Sequence, residues 1–327
     1  MSVDAIMGCQ ALSEKSDKLP AQITFMDKLK AWWNGYEIHV KTRSVGAKDK
    51  SDEKLPVSDE EQENARIQLL QELWGEGYSS PGEQEYILEL IKPFGLDPAM
   101  NVADIGAGLG GSSRLMADKF GVWVNAFERE TAMVEKGMEL STKAGLAKKA
   151  PIKGFSPEKQ VFDERSFNCI FSKEILYTYK DRTRLITDLC KALKSEGQFL
   201  FTDFVLQEPK NPKDTENERA AFDWNENEFH DCDLWKVGDY TETMTENGLD
   251  VRISEDISPK YIDMVEGRWR EFTLGLQGKK IPDHLADAIV VEAEMWTERV
   301  RLLKEGRIRL YRFLGMRPSN SKLMSDW

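Results

Sequence analysis

Cysteine is scarce: the 327 residues hold four, Cys9, Cys169, Cys190 and Cys232, and no two form a CxxC pair. That argues against a disulfide scaffold or a zinc ribbon and for a reducing cytoplasm, and no metal is expected. Positive charge is in deficit, with Lys+Arg 45 against Asp+Glu 57 and a net charge of -12. No block of the chain concentrates Lys and Arg enough to offset it, so neither nucleic acid nor an anionic membrane surface is expected as the main partner. No apolar run approaches the roughly 18 residues of a membrane span, because each is broken by charge within a turn or two. The opening MSVDAIMGCQ lacks the basic and long apolar regions of a secretory leader, and the expectation is a soluble chain. Histidine is limited to His39, His230 and His284.

The length suits two domains of about 150 residues, or one large domain with appendages. Met26, Leu29, Trp33 and Tyr36 recur at helical spacing and predict a short amphipathic helix. Lys41 to about Asn64 is charged, poor in large apolar residues and composed like a solvated linker, so residues 1–64 form an N-terminal extension. That helix is expected to dock on its own domain or on a second subunit, which would make a homodimer. A single domain then fills residues 65–327. Helices are expected at Ile67 to Trp74 and around Ile87, Leu88 and Ile91.

Strands and helices alternate from there: Asn101 to Ile105, Ser112 to Phe120, Val122 to Phe127, Thr131 to Lys143, Pro151 to Phe155, Phe167 to Phe171, Asp181 to Lys194 and Gln198 to Thr202. Such alternation predicts a doubly wound α/β fold, a mostly parallel sheet covered on both faces. Residues 205–235 read as a polar, irregular, lid-like insertion. A helix (Leu234 to Asn247) and a strand (Leu249 to Ile257) follow. Two long helices over about 258–305 come next, the second with Leu285, Ile289, Ala293, Trp296, Val300 and Leu303 on one stripe. A last strand at Ile308 to Leu314 would close the sheet edge as an antiparallel hairpin.

The most informative segment is VADIGAGLGGSSRLMA, an apolar strand running into Gly106, Gly108, Gly110 and Gly111 and then a helix. Glycines let the chain reverse tightly and let a ligand touch bare backbone, and the N–H groups of the following helix start favour an anionic group. Gly106, Gly108 and Gly111 also satisfy GxGxxG, so a nicotinamide dinucleotide and an oxidoreductase stay open at this point. Glu128, at the end of the next strand, would serve a ribose diol in either case. Asp104, two residues before the first glycine, can organise the turn and favours a cationic ligand over a pyrophosphate.

Four segments in order resemble class I S-adenosylmethionine-dependent methyltransferases over roughly residues 70 to 260: ADIGAGLGG, AFERE, FDERSFNCIFSKEIL and LCKALKSEGQFLFTDF. The resemblance implies a Rossmann-like fold with a seven-stranded sheet, and S-adenosyl-L-methionine held by Asp104, Gly106, Gly108, Gly110, Glu128 and Arg129. Ser156 and Lys173 would lie near the adenine or the amino-acid end. Within that superfamily the middle of the chain resembles the small-metabolite branch, the phosphoethanolamine and sarcosine/dimethylglycine N-methyltransferases. Trp74-Gly75, before the glycine motif, resembles the Trp-Gly segment of the sterol and tocopherol methyltransferases. The general organisation also resembles the bacterial S-methyltransferases acting on 4-methylthio-2-hydroxybutyrate in dimethylsulfoniopropionate synthesis. Three features depart from the family: Ser195-Glu196-Gly197 replaces its Pro-Gly-Gly turn, Phe155-Ser156 its adenine-capping acid, and Tyr177-Thr178-Tyr179 the His after the fourth strand.

Methyl transfer to a thioether needs no base, and a neutral amine loses its proton easily after attack. With three histidines in the chain, nitrogen or sulfur of a small molecule is the expected acceptor. Tyr177, Tyr179 and His230 are candidates for the catalytic pocket. Asp203, Trp224, Trp74 and Tyr78 are candidates to line it, since aromatic faces and a carboxylate stabilise a developing onium charge. Arg268 and Arg270, flanking Trp269, would clamp an acceptor carboxylate or phosphate. A non-catalytic protein that keeps the fold and docks a partner through the Trp-containing N-terminal helix is the remaining alternative.

Overall fold

The computed structural model describes residues 58–208, 216–228 and 233–319. The predicted helix around Met26 to Tyr36, and with it Cys9, His39, His230 and Cys232, lies outside the described residues. The first described helix, α1 (Asp59–Trp74), begins eight residues before Ile67 and is capped by Ser58, whose hydroxyl accepts from the Glu61 N–H. A side-chain cap of this kind satisfies one of the free N–H groups of a first turn and starts the helix inside the charged stretch. Helix α2 (Gln84–Ile91) follows and runs into a single 3₁₀ turn at Lys92–Phe94.

The alternating segment folds as β1 (Asn101–Ile105), α3 (Gly111–Phe120), β2 (Trp123–Glu128), α4 (Thr131–Lys143), β3 (Ile152–Gly154), β4 (Phe167–Lys173), α5 (Arg182–Ala192) and β5 (Leu193–Leu206). Helix α5 stops short of Lys194, and β5 runs through Ser195-Glu196-Gly197, where Glu196 takes a left-handed φ of 62°. A helix α6 (Glu216–Asn227) corrects the expectation of irregular chain in the 205–235 segment. Ala220 and Trp224, one helical turn apart, are buried and hold it to the body. Then come α7 (Val237–Glu246), β6 (Asp250–Asp256), α8 (Ser258–Gly275), α9 (Asp283–Glu305) and β7 (Ile308–Met316).

The seven strands form one sheet in the order β3-β2-β1-β4-β5-β7-β6. All pairings from β3 to β5 are parallel, and β7 inserts antiparallel between β5 and β6. Helices between successive parallel strands cover the sheet, and Phe199 to Val205 of β5 are buried without alternation, as expected where both faces are packed. Phe201 stacks on Phe313 across the β5–β7 pair at 4.8 Å between ring centres. The predicted stripe of α9 is buried throughout. It packs on α1, with Trp74 set edge-on to Trp296 at 5.0 Å. From β1 the chain winds one way to β2 and β3 and then the other way to β4 and β5, so a crevice opens at the carboxyl ends of β1 and β4.

Candidate active site

At that crevice the chain leaves β1 through Gly106, Gly108 and Gly110, all with positive φ. A Cβ on Gly106 would sit 2.4 Å from Ile175 Cγ2, and one on Gly108 would sit 2.1 Å from Ser79 Oγ. Only glycine combines this backbone with such close neighbours. The Gly106 N–H donates to the Phe127 carbonyl at 2.8 Å, keeping the turn against the end of β2. Glu128 ends β2, and its two oxygens accept from the Gly108 N–H at 2.8 Å and the Glu130 N–H at 2.9 Å. Burial pushes its pKa up, against the pull of these backbone donors. Arg114 of α3 donates to the carbonyls of Leu109 at 2.7 Å and Gly77 at 3.3 Å, strapping the 75–82 loop to the glycine turn.

Asp104 does not line the crevice. It lies buried in β1 and accepts from Ser113 Oγ at 2.6 Å, which fixes the first turn of α3. Burial raises its pKa to about 7. A carboxyl shifted from 3.8 to about 7 on folding leaves the folded state binding more protons than the unfolded one between those values. Stability therefore falls as pH rises through that window, by about 1.4 kcal/mol per unit. Asp104→Asn keeps the acceptor for Ser113 and removes the titration. Its stability relative to the natural chain, measured by urea unfolding, should rise by about 2–3 kcal/mol between pH 5 and pH 7. An unchanged difference would mean that Asp104 is ionised throughout.

Lys173, at the end of β4, donates to Ser80 Oγ, to the Pro81 carbonyl at 2.8 Å and to Glu174 Oε1 at 3.4 Å. It anchors the covering loop, and burial lowers its pKa. Glu174 has a left-handed φ of 57°, which costs a residue with a side chain roughly 1–2 kcal/mol. Its N–H bonds to the Thr202 carbonyl at 2.7 Å and its Oε2 accepts from the buried Tyr261 hydroxyl at 2.6 Å. Backbone held this way aims a buried carboxylate into the crevice.

Tyr177 also lines the crevice, with its hydroxyl donating to Glu228 Oε2 at 2.9 Å. Arg299 of α9 meets the same Glu228 with two bonds of 2.6 Å and reaches Tyr177 Oη at 3.0 Å. Trp224 stands behind this group, 5.4 Å from the Arg299 guanidinium. Across the crevice Arg66 of α1 bridges Glu130 at 3.1 Å and Glu292 of α9 at 3.0 Å. The enclosed space is about 120 Å³, below the ~300–1,000 Å³ of typical ligand pockets.

Other expected residues lie elsewhere. Tyr179 packs on Phe155 in the core, with Arg129 5.4 Å over its ring, and burial raises its pKa. The Ser156 hydroxyl turns to Glu158 at 3.0 Å. Asp203 faces the opposite side of β5, where it accepts from Tyr240. Trp74 packs on Trp296, while Tyr78 lies against Gly111 at the start of α3. Arg268 and Arg270, expected as an anion clamp, are not brought to the crevice. Arg268 pairs with Glu83 at 3.0 Å and donates to the Leu73 carbonyl at 2.9 Å, and Arg270 is exposed. Beside Lys173, the cations that reach the crevice are Arg66 and Arg299, both of which the sequence reading missed. Glu292, Trp296 and Arg299 recur at spacings of four and three, which puts them on one face of α9 and is the signal that could have found them.

Among the described residues no group of three or more His, Cys, Asp or Glu could hold a metal ion, and no helix is long and apolar enough to cross a membrane. Residues 96–248 match a family model described as a methyltransferase domain. A phosphoethanolamine N-methyltransferase 2 of Caenorhabditis elegans is 31% identical over 142 residues, covering 42% of this chain and 32% of that protein. A sarcosine/dimethylglycine N-methyltransferase of Aphanothece halophytica is 31% identical over 102 residues, 31% of this chain and 37% of that one. The chain thus spans about a third of the length of these curated relatives. In fold it is similar to Haemonchus contortus phosphoethanolamine N-methyltransferase 2, solved with phosphomonomethylethanolamine and S-adenosylhomocysteine. The TM-score there is 0.66 at 20% identity, over 77% of this chain and 57% of that one.

Proposed function

We propose, from a methyltransferase domain at residues 96–248, that this chain transfers a methyl group from S-adenosylmethionine to nitrogen or sulfur of a small metabolite. The observation that carries the reading is Glu128, set at the switch point with one carboxylate oxygen already on the Gly108 N–H of the glycine turn. The lone pairs left on that carboxylate suit a vicinal diol, and the left-handed glycines give a ligand access to bare backbone. When bound, S-adenosylmethionine supplies an electrophilic methyl group on a sulfonium centre.

The chain's own residues do the rest. Glu128 orients the ribose, and the loop anchored by Lys173 covers the turn. Ile175, Met133, Met295 and Trp296 give the crevice an apolar wall that excludes water. Glu174, held by Tyr261 and Lys173, presents a carboxylate that stabilises positive charge on the acceptor and can take the proton of an amine. The crevice is lined by Glu128, Glu130, Glu174, Glu228 and Glu292 against Arg66, Lys173 and Arg299. An acid-rich lining suits a cation better than the pyrophosphate of a nicotinamide dinucleotide, so the oxidoreductase reading is not favoured. Cys169 and Cys190 are free and buried, in keeping with a reducing cytoplasm.

S-Adenosylhomocysteine release by the full chain, screened over amines, amino acids and thioethers, tests the reading. Turnover with at least one such acceptor is expected. No release with any acceptor, together with no rise in Tm on adding S-adenosylmethionine, would overturn it.

A further inference from the structure

We infer that the acceptor carries no phosphate group, and that Glu228 is the specificity-determining residue that enforces this. The inference rests on the methyl-transfer reading and narrows its substrate class. Among the described residues the crevice holds three cations, and each already meets a carboxylate. Arg66 lies between Glu130 and Glu292, and Lys173 lies against Glu174. Arg299 is the cation best shaped for an oxyanion, because its planar fork can offer two parallel N–H bonds. Both go to Glu228, at 2.6 Å each, while Tyr177 adds a third contact to the same carboxylate.

Glu228 thus occupies the place that a phosphate would take on Arg299. The two side chains are 5% and 12% exposed. Pushing Glu228 aside would strand a buried carboxylate without its partner, and such a break is strongly unfavourable. The Arg299 guanidinium is further fixed 4.7 Å from the Trp296 ring and 5.4 Å from Trp224, so it does not follow an incoming anion. A phosphate dianion would also approach Glu128 and Glu174, which repel it. A head whose methylated atom is an amine or thioether meets the opposite situation, since that atom gains positive charge beside carboxylates and aromatic faces. This separates the chain from the phosphoethanolamine N-methyltransferases among its relatives and points to phosphate-free amines and thioethers.

The test compares the full natural chain with Glu228→Gln. Tm with and without S-adenosylmethionine is measured first, and absence of a rise in the natural chain counts against the methyl-transfer reading itself. S-Adenosylhomocysteine release is then followed with phosphoethanolamine, dimethylglycine and a methylthio acid, with and without inorganic phosphate. The natural chain should show kcat/KM for a phosphate-free acceptor about tenfold or more above that for phosphoethanolamine, and no inhibition by inorganic phosphate. Glu228→Gln leaves Arg299 charged and unmatched, so inhibition by inorganic phosphate should appear and the phosphoethanolamine ratio should rise about tenfold. Preferred turnover of phosphoethanolamine by the natural chain overturns the inference, whether or not the variant folds. So does a folded variant that gains neither phosphate inhibition nor a changed ratio.

Discussion

Replacing Glu128 with alanine is expected to weaken S-adenosylhomocysteine binding by about 10- to 100-fold, the equivalent of ~1.5–3 kcal/mol for hydrogen bonds to a charged group. Two losses add. The ribose diol loses its acceptor, and the Gly108 and Glu130 N–H groups lose the oxygens that hold the glycine turn and the entry of α4. Glu128→Gln separates them. The amide keeps one acceptor oxygen and places a donor where the second oxygen was, so part of the turn is held while the diol grip is halved. Its affinity should fall between that of the natural chain and that of the alanine variant. Titration calorimetry reads all three, and equal Kd values would remove Glu128 from the site.

The largest loss of stability is expected at Arg182, at the start of α5. This buried guanidinium donates to the carbonyls of Leu176 and Tyr177, both at 2.8 Å, to that of Asp233, and to Tyr240 Oη at 3.1 Å. It also lies 4.6 Å over the Trp235 ring. Arg182 thereby ties the turn after β4 to the start of α7 and supplies the positive charge nearest the buried Asp203, whose pKa burial raises to about 7. Arg182→Ala takes a charged donor from three carbonyls, of which that of Leu176 keeps the Tyr179 N–H, and leaves Asp203 uncompensated, at a cost of about 3–5 kcal/mol. Urea unfolding should show the midpoint falling with an unchanged m-value. A cost below about 1 kcal/mol would mean that water replaces the guanidinium. Because the Leu176 and Tyr177 carbonyls set the turn that carries Tyr177 to Glu228, the variant should also lose methyl-transfer activity if it folds.

Much of this architecture is legible in the chain because it is written locally. Strand and helix periods, the glycine turn and Glu128 all sit within about thirty residues of one another, and the α9 stripe obeys helical spacing. The covering wall of the crevice is not local. Arg66 meets Glu292 across 226 positions, and Arg299 meets Glu228 across 71. No spacing rule links such partners, and the sequence reading placed the anion clamp at Arg268 and Arg270, which flank Trp269. Asp203 illustrates a second limit. In a strand buried on both faces the apolar run carries no alternation, so nothing in the sequence says to which face a single acid turns. Helix α6 was hidden for a third reason: Ala220 and Trp224 are the buried ones among its described residues, and its apolar signal spans one turn. The left-handed backbone at Glu174 follows from its tertiary bonds to Thr202 and Tyr261, and no residue type announced it.

The central claim is that the glycine turn and Glu128 hold an adenosyl sulfonium and not a dinucleotide. Titration calorimetry of the full chain with S-adenosylmethionine and, separately, with NADH and NADPH tests it most directly. The account predicts saturable one-to-one binding of S-adenosylmethionine and no saturable heat with either dinucleotide. Saturation by a dinucleotide, with none by S-adenosylmethionine, would contradict it.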